Sequence, residues 1–527
     1  MKKMFCLSGL LLSLQLISFA QTDAAATYGN TITGAGLKKH LTIIASTEMD
    51  GRETGTEGQR KAAAYIESQF KLMGLTTAAS LNGSYQQYYP LYQDSISSEL
   101  SVNKIAAVYG TDYLSPAANN ENGNNKSDKI IFVGYGIDDK AYSDYTNINV
   151  KNKIVVFFLG EPKQQGNYLI SGTKFSGKWS YPGLSDKLAL AQSKGAAGAF
   201  VINPMQQSFN QNAVDNSKKT NLYFPHEGTG KPVNYAILSH AFAKNILGNN
   251  FDTLLKQAKA SMPINASWAI EKKVKVQFNY TKFRTTVNAS NIVGIVEGTD
   301  KKDEYVFLTG HYDHLGNHGG KIYYGADDDG SGTCGVIAMA EAFAKAKTEG
   351  HGPRRTVIFM TVSGEEKGLW GSEYYSDHPI FPLDKTSADL NTDMVGRVDT
   401  ERKLGDTLNY VYVIGHDKLS SDLPVINEAA NNKNTQLTLD YKFDDPNDEE
   451  RIYYRSDHYN FARKGVPVLF FYDGMLKADY HKPTDTIEKI NFDLYEKRVR
   501  MIFYTAWEIA NRDEMLKRDI PLPETAK

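Results

Sequence analysis

Apolar and polar positions along the chain change their rhythm several times. Lys2 and Lys3 precede an apolar run, 4–19, that closes in Ser18-Phe-Ala20. That is the pattern of a cleaved secretory signal peptide, so residues 1–20 are set aside from fold reasoning. Residues 21–30 are small and polar and predict a mobile leader. From Gly36 the spacing turns helical, with Leu37, Leu41, Ile43 and Ile44 recurring every three to four positions. A turn-rich loop, 49–58, follows, in which Arg52 reads as a surface charge. A second helix is predicted over 59–73, with Ala62, Tyr65, Ile66 and Phe70 on one face and Gly74 as its stop.

Between about 95 and 270 helical spacing thins and short apolar runs read as strands at 130–133, 153–158 and 199–202. One helical segment is predicted there, 184–195, and the Asn- and Ser-rich stretches 117–128 and 206–220 read as exposed insertions. No cluster of His and acids at metal spacing occurs in this part, which predicts a separate module without chemistry of its own. From about 275, continuous apolar runs (291–296, 305–309, 356–362, 407–414, 466–471) alternate with helical ones (331–347, 366–376, 421–431, 457–463) before a closing helix over 492–512. Fully apolar strands alternating with helices predict an α/β sheet covered on both faces.

Length and composition narrow this further. A chain of 527 residues exceeds one ordinary core, so two or more domains are expected. With residues 1–20 removed the formal charge moves from −2 to −4, which offers nothing to a nucleic-acid backbone. No apolar stretch after the first twenty residues is long enough to span a membrane, so no membrane anchor is expected. Cys6 lies too early for a lipid attachment at the cleavage point. Cys334, the cysteine left in the mature chain, can form no internal disulfide and reads as a small core residue.

The candidate chemistry centres on Gly325-Ala-Asp-Asp-Asp-Gly-Ser-Gly332. Adjacent carboxylates repel one another, and held between apolar elements they call for a counter-charge such as a divalent metal. Ligands of α/β sheets collect beyond the carboxyl ends of the strands. His311, Glu365, Glu366, Asp393 and His481 all follow predicted strands in that way. Singly, each has a plain structural reading: a loop histidine, a solvated first helical turn, a cap. Arg455 and Arg397 are candidates to meet a charged end of a substrate. Tyr453, Tyr454 and Tyr472 are candidates for pocket walls or oxyanion donors, with core packing as the plain alternative.

These motifs resemble the M28 zinc aminopeptidases and carboxypeptidases, which carry two metals. The resemblance rests on Gly310-His-Tyr-Asp313, Gly325–Gly332, Ser363-Gly-Glu-Glu-Lys-Gly-Leu-Trp-Gly-Ser372, Asn391-Thr-Asp-Met394, Arg455-Ser-Asp-His458 and Tyr480-His-Lys-Pro-Thr-Asp485, in order over about 275–515. The middle module resembles a protease-associated (PA) domain, carried by Val133-Gly-Tyr-Gly-Ile137 and Val150-Lys-Asn-Lys-Ile-Val-Val156. The resemblance implies a three-layer αβα peptidase domain with a central mixed sheet, built from 28–95 and 273–515, with a β-rich PA domain inserted at 96–272. It implies two Zn2+ per chain, with Asp328 bridging both. His311 and Asp393 would complete one metal, Glu366 and His481 the other. Glu365 would be the general base, and Asp313 would orient His311. In the family the peptide bond after the middle aspartate is often cis.

Two metals and a carboxylate base activate water against a peptide carbonyl. The expected function is therefore a dinuclear zinc exopeptidase taking N-terminal residues from peptide or protein substrates. A carboxypeptidase or dipeptidase of the same family is the alternative. Glutaminyl cyclisation, a one-zinc variation, is disfavoured because both His311 and Asp393 are present. A non-catalytic binding homologue would have lost ligands. The N-terminal segment predicts export to the periplasm or the medium.

Overall fold

The computed structural model describes residues 24–522, except 119, 181–182, 226–232, 265–270, 404 and 446. The expected signal peptide lies outside these residues. Two compact units emerge: the chain up to Pro90 together with Asn288 onward, and Leu91–Val287. Among the described residues no helix is long and apolar enough to cross a membrane.

In the first unit, α1 (Gly34–Ile44) and α2 (Glu57–Leu72) start at Thr33 and Thr56, whose side chains accept from Gly36 and Gln59 amides. The segment before α1 is not a mobile leader from residue 24 on. It is helical, and Ala24, Ala25 and Tyr28 are buried, with Tyr28 Oη donating to Glu349 at 2.9 Å. One buried aromatic outweighs the small polar composition around it.

The sheet of this unit uses β1 (the C-terminal half of Glu271–Val296), β2 (Lys301–His311), β3 (Arg355–Val362), β4 (Thr386–Thr392), β5 (Tyr410–Ile414), β6 (Thr438–Asp440) and β7 (Val468–Tyr472). Its order is β6-β5-β7-β4-β2-β3-β1. The four strands β3, β2, β4 and β7 are parallel, and β1 and β5 join antiparallel at either side, which makes the sheet mixed. Every residue of β3, β4, β5 and β7 is buried, as strands covered on both faces must be. On one face α3 (Gly330–Thr348) and α7 (Phe492–Asn511) both pack on β2, β3 and β4, and α1 lies against the two helices. Because α3 is sandwiched, it is apolar nearly all round rather than along one stripe. On the other face α4 (Trp370–Asp377) and α6 (His458–Ala462) pack on each other, and α6 on β4 and β7. The remaining helix, α5 (Asp422–Asn434), lies against α7.

The second unit is built on Gly123–Phe132, Ile154–Phe158, Gly198–Ile202 and Tyr235–Leu238, next to the first half of Glu271–Val296. Ile154, Val156 and Phe158 enter one core and Val155 and Phe157 another, the period of two that a two-sided strand requires. Helices are more plentiful here than the apolar spacing predicted. Besides Leu184–Ser193 there are Gln211–Lys218, His240–Leu247 and Phe251–Lys259. The stretches expected as insertions hold structure too. Gly123–Phe132 begins inside one, and Asn210 caps a helix inside the other through the Ala213 amide. Strand pairing and a cap decide these segments, not composition.

Phe343 of α3 shows how the layers lock. Its ring centroid lies 5.8 Å from Phe359 of β3, 4.8 Å from Phe503 and 5.4 Å from Trp507 of α7. Phe343→Ala should lower the unfolding free energy by about 3–5 kcal/mol, read by denaturant titration. Asp389 of β4 supplies a pH test. Burial raises its carboxyl to about 8, offset in part by the hydroxyl of Thr309 at 2.8 Å. A carboxyl raised in the folded state favours folding fully below its unfolded pKa of about 4 and loses that contribution as pH climbs to about 8. Asp389→Asn should flatten the stability profile across that window and stabilise the protein at pH 8, measured by thermal melts.

Candidate metal centre

Register brings the charged residues to one level. His311 ends β2 opposite Val362 of β3, and Thr309 lies opposite Asn391 of β4. Thr392 in turn lies opposite Phe471 of β7. Glu365 and Glu366, Asp393, and the loop that brings His481 therefore all leave the sheet at the carboxyl ends of four adjacent parallel strands.

The loop before α3 supplies Asp328. Gly325 turns with φ +53°, where a Cβ would lie 2.2 Å from the Asp328 carbonyl oxygen. At Gly332 a Cβ would lie 2.0 Å from the Thr392 carbonyl oxygen. Only glycine fits either place. The Asp328–Asp329 peptide bond is cis. Asp485 Oδ2 accepts the Asp327 and Asp328 amides at 3.0 and 3.1 Å, so the loop bearing His481 also holds the backbone of Asp328.

The two carboxylate oxygens of Asp328 face two different groups. Its Oδ1 lies 3.4 Å from His311 Nε2, which is itself 3.6 Å from Asp393 Oδ1 and 3.9 Å from Glu365 Oε2. Its Oδ2 lies 3.2 Å from His481 Nε2, which is 2.9 Å from Glu366 Oε2. The edge of a tetrahedron with metal–ligand bonds of 2.0–2.2 Å is about 3.3–3.6 Å. The separations of His311 Nε2 from Asp328 and Asp393 match it. They are too long for strong hydrogen bonds, and the buried Nε2 makes none among the described residues. The donor set of imidazole and carboxylate fits a pair of divalent cations.

Electrostatics point the same way. Burial alone would lower the pKa of His311, but Asp393 and Glu365 drive it well above the usual range. Burial opposes protonation of His481 too, yet hydrogen bonds to Asp328 and Glu366 raise it to about 10. Glu365 is pushed well up by burial, with Glu366 and Asp393 adding to it and His311 opposing. Asp457, buried behind the site, reaches about 7, again chiefly through burial. This much shared negative charge calls for cations beyond the histidines.

Asp313 sits beside the site, but its carboxylate is not the nearest partner of His311. The imidazole Nδ1 lies 3.1 Å from the Asp313 carbonyl oxygen and 3.6 Å from the carboxylate. The carboxylate is held instead by Thr54 Oγ1 at 2.7 Å and the Glu365 amide at 3.3 Å. Asp329 lies near His311 and Asp393, but its oxygens are taken up by the amides of His311, Gly332 and Met394, which makes it a backbone anchor. Ser456 Oγ donates to Asp393 Oδ2 at 2.6 Å.

A small cavity opens beside the cluster, lined by Asp328, Glu365, Asp393, Met394, Ile452, Arg455, Phe470, Tyr472, Leu476 and Tyr480. Arg455 and Tyr472 are thus both in its wall. Arg455 donates to Tyr480 Oη at 3.2 Å, and the Tyr472 hydroxyl has no hydrogen-bond partner among the described residues. Tyr453 and Tyr454 line a separate cavity with Lys418 and Asp444. Arg397 is taken up by Asp479 at 2.8 Å.

Two residues were missed in the sequence. His314 Nδ1 donates to Glu366 Oε1 at 2.7 Å, leaving Oε2 to face His481. It stands in the same His-Tyr-Asp-His run as His311, so its spacing was visible. Arg52 is fully buried, not a surface charge. Its guanidinium donates to the carbonyls of Tyr312, Ile44, Tyr324 and Gly325 at 2.7–2.9 Å.

Residues 291–506 match the model of peptidase family M28. A probable zinc metalloprotease of Pyrenophora tritici-repentis is 26% identical over 291 residues, which is 48% of this chain and 58% of that one. A probable leucine aminopeptidase of Arthroderma benhamiae is 28% identical over 226 residues, 42% of this chain and 57% of the relative. The chain thus spans somewhat over half the length of these curated relatives. Among solved structures, an aminopeptidase from Aneurinibacillus sp. strain AM-1 aligns with a TM-score of 0.48 at 17% identity, covering 95% of this chain and all of that one. The stretch that holds His311, Asp328, Glu365, Glu366, Asp393 and His481 lies within the residues that match the model of peptidase family M28.

Proposed function

We propose that the protein is a dinuclear zinc exopeptidase that removes N-terminal residues from peptides. The observation that carries this reading is Asp328, whose two oxygens each face a separate imidazole–carboxylate group. His311 and Asp393 would hold one ion, and His481 and Glu366 the other. The names of the similar proteins, zinc metalloproteases and leucine aminopeptidases, support the metal and the end attacked. When bound, zinc supplies positive charge that makes water acidic enough to attack near neutral pH and that polarises the scissile carbonyl.

The chain's own part is proton handling and orientation. Glu365 lies 3.9 Å from His311 Nε2 on the cavity wall and holds no ligand position in this arrangement. It takes the proton of the attacking water and returns it to the leaving nitrogen. Burial holds its pKa up, and bound cations act in the opposite direction, which brings a base of this kind toward its working range. The carboxylates at the cavity suit a protonated α-amine. Met394, Ile452, Phe470 and Leu476 offer an apolar wall to the side chain beside it.

Arg455 in the same wall favours a second reading, in which a terminal carboxylate is held and the peptide is cut from the other end. In either case residues 96–272 are read as a protease-associated domain, on Val133–Ile137 and Val150–Val156, and the N-terminal segment as an export signal.

A peptide with both ends free and its N-acetylated form separate the readings. Mass spectrometry should show N-terminal residues lost from the free peptide alone, abolished by a chelator and restored by zinc. Shortening of both peptides from the C-terminus would favour the Arg455 reading. Glu365→Gln should lower kcat by about 10²–10⁴-fold while KM and bound zinc, read by elemental analysis, stay near wild type.

A further inference from the structure

Gly51–Thr54 precede the region that matches the peptidase family, yet these residues touch loops that carry the metal centre. Gly51 packs so closely that a Cβ would lie 2.4 Å from the Gly316 carbonyl oxygen, and its own carbonyl accepts the Gly316 amide at 2.9 Å. The carbonyl of Arg52 accepts the His314 amide at 3.3 Å, and its guanidinium ties down Tyr312, Tyr324 and Gly325. Glu53 pairs with Lys367, next to Glu366, at 2.8 Å. Thr54 goes furthest in. Its hydroxyl donates to Asp313 Oδ2 at 2.7 Å and accepts the amide of Gly364 at 2.9 Å. Asp313 Oδ1 in turn accepts the Glu365 amide.

We propose that Thr54 is a positioning residue for the metal centre, fixing through one hydroxyl both the Asp313 carboxylate and the backbone that presents Glu365 and Glu366. The hydroxyl sits at a junction of two strands. Asp313 follows His311 at the end of β2, and Gly364 follows the end of β3. Gly364 turns with φ +79°, and both it and Asp313 are buried. A buried amide and a buried carboxylate that share one hydroxyl have no water to replace it. Without the hydroxyl, the side-chain link between the two strand ends is reduced to the longer Glu365 amide–Asp313 bond at 3.3 Å, and the carboxylates of Glu365 and Glu366 gain room to shift relative to His311. Groups that hold metal ligands from behind act on metal affinity and on the rate together, which distinguishes Thr54 from a residue that only packs. The proposal rests on the metal-site reading above but not on which peptide bond is cut.

The test compares the full-length wild type with Thr54→Val, Thr54→Ser, Asp313→Asn and the Thr54→Val/Asp313→Asn double variant. Cobalt(II) is the probe, its affinity read by competition with a chelator and its coordination by the visible spectrum. Thr54→Val should lose about 10- to 100-fold in cobalt affinity with an altered spectrum, and kcat should fall while KM holds. Thr54→Ser, which keeps the hydroxyl, should recover the wild-type spectrum. In the Asp313→Asn background the valine should cost less than it costs alone. Wild-type cobalt affinity and spectrum in folded Thr54→Val, or losses that simply add in the double variant, would overturn the proposal. If melting curves show Thr54→Val unfolded, Thr54→Ala takes its place under the same criteria. A wild type that binds cobalt yet cleaves no peptide would overturn the exopeptidase reading and leave the cobalt comparison to decide the role of Thr54.

Discussion

Negative charge packed at the ends of four parallel strands is the constraint on which the rest of the structure depends. Asp328, Glu365, Glu366 and Asp393 converge on His311 and His481, and nearly all of these groups are withdrawn from water. Two unit charges 4 Å apart at a protein surface interact by about 4 kcal/mol, so several carboxylates this close oppose folding unless cations join them. The protein accepts that cost at one place. Around it, backbone amides bind the Asp329 carboxylate and one oxygen of Asp485, and hydroxyls donate to Asp313 and Asp393. The oxygens facing His311 and His481 lie where cations would sit.

Holding such a cluster open requires a rigid surround. The parallel strands supply the level, since their register places His311, Glu365 and Asp393 side by side. The flanking loops are fastened to one another, with Asp485 on the backbone of Asp328 and Arg52 on carbonyls from both sides of the loop between His311 and Asp328. A guanidinium can be buried this way because carbonyl oxygens from separate segments receive its donors in their fixed fork. The N-terminal segment is therefore part of the site's frame although it precedes the matched peptidase region in sequence.

The strands of this unit were legible because continuous apolar runs such as 356–362 can only be buried on both faces, and His311, Glu365 and Glu366 because two of those runs lead into a glycine with His or acid directly behind. What escaped depends on partners distant in sequence. Arg52 looks like any loop charge until the carbonyls of Ile44, Tyr312, Tyr324 and Gly325 are gathered around it. The plain stretch near Tyr28 becomes helix because α7 and α3 offer it a surface, with Trp507 stacked at 6.0 Å. Helices of the middle unit were missed because short segments there are settled by caps and neighbours. The strand read as 291–296 runs back to Glu271, and there the signal was local, since Val274, Val276, Phe278 and Tyr280 alternate with Lys275, Gln277 and Asn279.

The central claim is that Asp328 joins two metal positions in one chain. Native mass spectrometry of the metal-free protein titrated with zinc counts the ions directly. The proposed reading predicts two bound zinc ions per chain at saturation, falling below two in Asp328→Ala. Saturation at one ion or none in the wild type would contradict it.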